Sequence, residues 1–333
     1  MKKIINDPST VLDEMNRGFA TAYADIVELH DDPLYVCRKG GAVQGKVGVI
    51  SGGGSGHEPL GGGYVGDGML SAAAPGAFFS SPTPDQILAA TQAADGSAGV
   101  LHLILNYTGD ILNFETGAEL AEFEEIPVKT VVIDDDVAVE NSTYTAGRRG
   151  VAGAIVAFKL AGAAADRGDD LENVTRIAAK ANDNMATMGL AMTACTVPTV
   201  GKPSFELGED EMELGIGVHG EPGVKRVPMM KADDIVDLLL EKVLDDLKLE
   251  SGENVLLYIN GLGATPLSEQ YILYNHAHDV LTAKGINVIR SQIGNFFTSL
   301  EMSGASLTVM RLDDELTELY DAPVRTAGWR AGA

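Results

Sequence analysis

The sequence predicts an α/β protein of two domains, each a mostly parallel or mixed sheet flanked by helices. Three observations carry this expectation. Short β-rich runs alternate with segments of helical apolar spacing, the pattern of helices packed on sheets. The chain has 333 residues, 45% hydrophobic and 22% charged, and at roughly 150 residues per domain this is enough for about two cores. The β/α alternation also begins afresh near residues 182–187, which divides the chain into 1–184 and 185–333.

In the first half, residues 46–51 (KVGVIS) read as a strand entering a glycine-rich loop at 52–59. Thr83 is placed as a helix N-cap, with Pro84 at the first helical position where its missing N–H costs nothing. Residues 100–105 read as the next strand and 106–110 as the loop at its carboxyl end. A helix over about 114–125 and a strand over 128–133, ending in Asp134, Asp135 and Asp136, follow. Helices over about 151–165 and 171–185 close this half.

In the second half, residues 212–218 read as a strand that runs into the loop 219–223. Apolar Ile235, Leu238, Leu239, Val243 and Leu247 recur at helical spacing on an otherwise charged segment, which predicts a helix over 232–247. Strands are expected at about 254–259, 287–293 and 306–311, with 260–266 a turn into the intervening helix.

Composition narrows the function. There are 24 Lys and Arg against 48 Asp and Glu, a formal net charge of -24. Such a surface repels phosphate backbones and anionic lipid, so nucleic acid and membrane are excluded as expected partners. No uncharged apolar stretch approaches the ~20 residues that a bilayer requires, since Lys159 interrupts the most apolar segment, 151–165. The amino terminus lacks the apolar core of a signal peptide, which makes the cytoplasm the expected compartment. The two cysteines, Cys37 and Cys195, show neither C-x-x-C nor metal-type spacing, so neither a disulfide framework nor a metal site is expected.

In open α/β sheets, ligands bind beyond the carboxyl ends of strands. The loops to inspect are therefore 52–59, 106–110 and 219–223, which bring His57, Asp110 and His219. The glycine density of the first lets backbone N–H groups approach a small polar ligand, although a purely structural turn is the alternative. It is not a Walker loop, because no lysine follows the glycines. The run 61–66 (GGGYVG) fits G-x-G-x-x-G, but about ten residues past the strand end. His57 is positioned as a general base, and Asp110 is either a turn-former or a carboxylate acting on the same hydroxyl. His219 lies in a Gly- and Pro-bounded loop, where a neutral imidazole can add to a ketone or aldehyde. His102, inside an apolar strand, reads as a core histidine. The 134–136 aspartates read as caps or solvated carboxylates, and Arg148 and Arg149 as internal ion-pair partners.

Taken together, 51–59 (SGGGSGHEP), 106–114 (NYTGDILNF), 132–136 (VIDDD), 144–150 (YTAGRRG), 201–204 (GKPS), 217–223 (GVHGEPG) and 260–266 (NGLGATP) resemble the substrate-binding subunit family of dihydroxyacetone kinases, collinearly along the chain. The resemblance implies that His219 forms a covalent hemiaminal with the substrate carbonyl. It implies that His57 and Asp110 flank the hydroxyl to be phosphorylated, and that Gly54, Ser55 and Gly56 line the substrate. An adduct would position a three-carbon ketose before transfer and exclude glycerol, which has no carbonyl. Because ATP-dependent relatives carry a nucleotide domain behind this one, the chain is expected to work with a separate ADP- and Mg²⁺-holding subunit recharged by a phosphocarrier protein, with no cofactor of its own. A homodimer is implied too. One departure is Leu105, where the family commonly has a lysine. Its loss removes a hydrogen-bond donor, leaving altered substrate preference, weakened turnover or a ketose-sensing coregulator paralogue open.

Overall fold

The computed structural model describes residues 2–332. After α1 (Val11–Ala22), the hairpin β1 (Val27–Asp31) and β2 (Leu34–Arg38) forms the outer part of the first sheet. The chain continues through β3 (Gly48–Ser55), β4 (Ala72–Phe78), α2 (Pro84–Ala94), β5 (Val100–Leu105), α3 (Thr108–Phe123) and β6 (Val128–Ile133). The strand order is β1-β2-β4-β3-β5-β6, with β4, β3, β5 and β6 parallel to one another and β2 antiparallel to both β1 and β4.

Local signals act as expected in α2, where Pro84 occupies the first turn and the Thr83 N–H donates to Gln86 Oε1 at 2.9 Å. The α3 boundary differs: the helix begins at Thr108, six residues before the expected start. Gly109 reads locally as a turn residue, yet in the first helical turn it interrupts no established ladder. Asp110 thereby sits in the first turn of α3, where the helix dipole favours an acidic group.

Two helices, α4 (Ala154–Arg167) and α5 (Leu171–Asp183), join the first sheet to the second. The second sheet is built from β7 (Met185–Ala191), β8 (Glu211–Leu214), β9 (Lys225–Pro228), β10 (Asn254–Gly261), β11 (Asn287–Gly294) and β12 (Gly304–Arg311), with α6 (Ala232–Leu247) and α7 (Leu267–Ala283) between them. Its order is β11-β10-β12-β7-β8-β9. Only β10 and β11 pair in parallel, so this sheet is mixed and largely antiparallel. The strand expected over 212–218 ends at Leu214, because Gly215 turns the backbone to φ +73°. The helix α8 (Asp314–Asp321) and the ribbon β13 (Val324–Arg325) and β14 (Arg330–Ala331) complete the chain.

One apolar cluster runs through both halves. Val49, Leu101 and Ile133 of the first sheet share it with α4, with Leu256 and Tyr258 of β10, and with Leu316 and Leu319 of α8. Every residue of α4 from Ala154 to Ala165 is buried. This includes Lys159, whose ammonium donates to the Leu319 carbonyl at 2.7 Å, and whose pKa burial lowers to about 8. The carboxyl ends of β3 and β5 and the turn after β8 meet beside this shared core.

Candidate active site

The glycine-rich segment leaves β3 and is clamped by residues from the second half. The Leu300 N–H donates to the Gly56 carbonyl at 2.8 Å, and the Thr298 hydroxyl to the Glu58 carbonyl at 2.9 Å. Gly56 has φ +104°, and a Cβ there would lie 2.7 Å from the Phe79 ring. Its lack of a side chain is what lets Phe79 pack beneath the loop. Phe79 itself holds a left-handed φ of 56°, a strained conformation for an aromatic residue.

His57 is buried against Phe79, with ring centroids 4.9 Å apart and nearly coplanar. The Thr298 carbonyl lies 2.8 Å from its Nδ1. A carbonyl only accepts, so Nδ1 carries the hydrogen and Nε2 keeps its lone pair. Nε2 has no partner among the described residues. Burial, helped by the neighbouring His219, pushes the ring's pKa down to about 3, so it stays neutral at physiological pH.

His219 stands edge-on to His57, Phe79 and Tyr107, with centroids 4.9, 5.2 and 4.9 Å away. Glu221 holds it twice: Oε1 is 3.0 Å from Nδ1, and Oε2 accepts the His219 backbone N–H at 2.9 Å. Burial alone would raise the Glu221 pKa. The hydrogen bond and charge of His219, with the Arg149 charge, outweigh it and hold the group at about 2. A carboxylate on Nδ1 accepts its hydrogen, so in the neutral form of the ring the lone pair lies on Nε2. Gly217 makes the fit possible, since a Cβ there would fall 2.0 Å from Glu221 Oε2.

Asp110 completes the group. It is buried, and its Oδ1 has no partner among the described residues. Burial raises its pKa to about 6, with opposition from a Ser81 hydrogen bond and the His219 charge. Phe79, Ser81, Tyr107, Asp110, Tyr144 and His219 line an open cleft of about 390 Å³. A water-sized pocket of about 10 Å³ continues beneath it past His57, Leu105 and Gly54.

The structure thus brings His57, Asp110, His219 and Gly54 to one cleft. Gly56 contributes through its backbone, beneath Phe79. Ser55 does not face the cleft, because its hydroxyl donates to the Gly76 carbonyl at 2.7 Å. Sequence reasoning missed Phe79, Glu221 and Tyr107 as participants. Glu221 carried a usable signal, a carboxylate two residues after a loop histidine. Tyr107 has a buried hydroxyl with no partner among the described residues.

The remaining candidates are structural. His102 is buried, with Nε2 3.0 Å from the Thr91 hydroxyl. Asp135 accepts the Val151 and Gly153 N–H groups, both at 2.8 Å, ahead of α4. Arg149 donates from Nε to Asp136 at 2.7 Å. The 61–66 glycines form a short 3₁₀ turn at Gly62–Tyr64, not a strand-to-helix crossing, and so do not form a dinucleotide turn. Among the described residues, no helix is long and apolar enough to cross a membrane.

The model of the Dak1 domain matches residues 17–328. The chain belongs to the Dak1 family. It is 47% identical over 330 residues to the Listeria innocua dihydroxyacetone-binding subunit DhaK of PTS-dependent dihydroxyacetone kinase 1, covering 99% of this chain and all of that one. It is 48% identical to the Escherichia coli DhaK of the PEP-dependent kinase, covering 98% of each chain. Among solved structures, the C. freundii dihydroxyacetone kinase superposes with a TM-score of 0.90 at 32% identity, over 99% of this chain and 60% of that longer one. The dihydroxyacetone kinase operon co-activator DhaQ superposes with a TM-score of 0.89, also at 32% identity, over 96% of this chain and 98% of that one.

Proposed function

We propose that this chain is the dihydroxyacetone-binding subunit of a phosphotransferase-system-dependent dihydroxyacetone kinase, and that it captures the ketose covalently on His219. The observation that carries the reading is the two-point grip of Glu221 on His219, which takes up Nδ1 and leaves Nε2 for a cleft also reached by His57 and Asp110.

In the proposed step the Nε2 lone pair forms the N–C bond to the carbonyl carbon. The π pair of the C=O moves to oxygen, which takes up one proton, and the Nδ1 proton leaves by way of Glu221, so the adduct is neutral. The ketose is then held with one terminal hydroxyl toward His57 Nε2 and Asp110. Proton removal is most effective when the base titrates near the working pH. With its pKa near 6, Asp110 is the better base, whereas His57, near 3, serves as a fixed acceptor that orients the hydroxyl. The hydroxyl proton passes to Asp110 as the oxygen bonds to the incoming phosphorus, while the bond from that phosphorus to the nucleotide's β-phosphate oxygen breaks and its electron pair leaves on ADP. The nucleotide, ADP once discharged, and its Mg²⁺ belong to a partner subunit recharged by a phosphocarrier protein, and this chain pairs with a second copy of itself.

The names and identities of the DhaK relatives support the substrate and the phosphotransferase reaction. A second reading, a ketose-sensing coregulator without turnover, is favoured by Leu105 and by the likeness to DhaQ. Turnover decides between them. Dihydroxyacetone, phosphoenolpyruvate and the partner subunits should yield dihydroxyacetone phosphate, and His219→Ala should abolish adduct formation and lower turnover sharply. Adduct without product under saturating partner would replace the kinase reading by the sensor, and an adduct on His219→Ala would remove His219 from the mechanism.

A further inference from the structure

We propose that Glu28, His30 and Cys37 form a binding site for a divalent transition-metal ion, best matched to Zn²⁺. In the β1/β2 hairpin, Glu28 pairs directly with Cys37 and His30 with Tyr35. Side chains two apart on a strand, and those directly opposite across a pair, share a face. All four residues therefore project to the same side. Linear spacing conceals the donors, since eight positions separate Glu28 and Cys37 along the chain on either side of the turn.

The three donor atoms lie within 4.8 Å of one another, and Cys37 Sγ is 3.7 Å from His30 Nε2. A tetrahedral ion with bonds of ~2.3 Å to sulfur and ~2.0 Å to nitrogen places those two ligands about 3.5 Å apart. The imidazole is already steadied: it stacks on Tyr35 with centroids 4.3 Å apart and planes 5° from parallel. Burial grades across the group, from Cys37 in the apolar cluster with Ile50 and Ala94 to exposed His30. An ion here would meet the thiolate from the core side and keep its fourth position toward water. A thiolate, an imidazole and a carboxylate suit Zn²⁺ rather than the oxygen-preferring Mg²⁺ or Ca²⁺.

Binding transfers the Cys37 thiol proton to solvent as the S–metal bond forms. The thiolate and the Glu28 carboxylate then neutralise the dication, which removes the cost of a net charge beside the apolar cluster. Lys39 at present shares Glu28, with Nζ 2.7 Å from Oε1, and is solvent-exposed enough to swing away. The ion would staple the two outermost strands of the first sheet. This inference does not depend on the kinase reading.

The test uses the full-length, chelator-treated protein with Co²⁺ as the probe and Zn²⁺ as competitor. One equivalent of Co²⁺ per chain should produce a thiolate-to-cobalt charge-transfer band that Zn²⁺ abolishes. Cys37→Ser should remove the band. Because Cys37 is buried and its replacement can disturb folding, His30→Gln and Glu28→Gln provide the independent arm, each weakening Co²⁺ binding by more than about tenfold. No thiolate band at stoichiometric Co²⁺, or a band of unchanged affinity in His30→Gln, overturns the site.

Discussion

Glu221→Gln tests the link between geometry and chemistry most directly. The carboxylate offers two acceptor oxygens to two donors, His219 Nδ1 at 3.0 Å and the His219 backbone N–H at 2.9 Å. Glutamine keeps the shape but presents one oxygen and one NH₂, so one donor must face another donor. If the NH₂ meets Nδ1, the ring proton moves to Nε2 and the nucleophilic lone pair is lost. If it meets the backbone, the loop that carries the ring loosens. Losing one hydrogen bond to a charged acceptor costs about 1.5–3 kcal/mol. The fall of the Glu221 pKa from 4.5 to about 2 corresponds to about 3 kcal/mol favouring the carboxylate, shared among His219, Arg149 and a backbone N–H, which supports that scale. Adduct affinity should therefore weaken by roughly 10- to 150-fold. The assay is a titration with ketose carrying an isotopic label at its carbonyl carbon, followed by NMR as that carbon loses its carbonyl signal, alongside thermal unfolding. A variant that melts earlier but forms the adduct with wild-type affinity would refute the argument, since Glu221 would then act only structurally.

Asp110→Asn should separate stability from activity. Burial raises the folded-state pKa from 3.8 to about 6, so keeping the carboxylate ionised costs stability that is absent below pH 3.8 and grows as pH rises through 6. Removing the charge should stabilise the protein at pH 7 by up to about 3 kcal/mol, read by denaturant unfolding, while phosphorylation falls; a destabilised variant would count against the assignment. The same carboxylate predicts that wild-type turnover declines on acidification below about pH 6, and a flat profile from pH 7 to 5 would remove Asp110 as the base. His57→Asn should retain the adduct and slow transfer by only about tenfold in single-turnover assays, the cost of one orienting hydrogen bond. Gly217→Ala should impair adduct formation as Glu221→Gln does, because the added methyl would occupy the space of Glu221 Oε2, and unchanged NMR behaviour would argue against the tight fit.

Local signals were legible in the sequence where one or a few neighbouring residues decide the outcome. Pro84 and Thr83 announce α2, and the β-branched run of β6 has the expected bounds. The convergence of His57, Asp110 and His219 follows from strand ends and loop glycines, and the structure brings them to one cleft. Partnerships across the chain were not legible. Nothing near residues 304–311 says that β12 will run antiparallel between β10 and β7, because pairing is chosen by the tertiary fold. Ser55 failed for a simpler reason: β3 extends through it, so strand alternation carries its hydroxyl to the Gly76 carbonyl. The pKa contrast between His57 and Asp110 depends on burial, which residue type alone does not encode.

The helix α4, enclosed over all but its last two residues, has a bearing on how the molecule can move. With its circumference packed from Ala154 to Ala165 and its one ammonium tied to the Leu319 carbonyl, it acts as a common axle to which both sheets are bolted. Large rocking of one half against the other would have to tear that packing open, so the jaws of the cleft stay at a set spacing. In the proposed reaction, exclusion of bulk water then falls to surface segments around Tyr144, which lines the cleft, or to the docked donor.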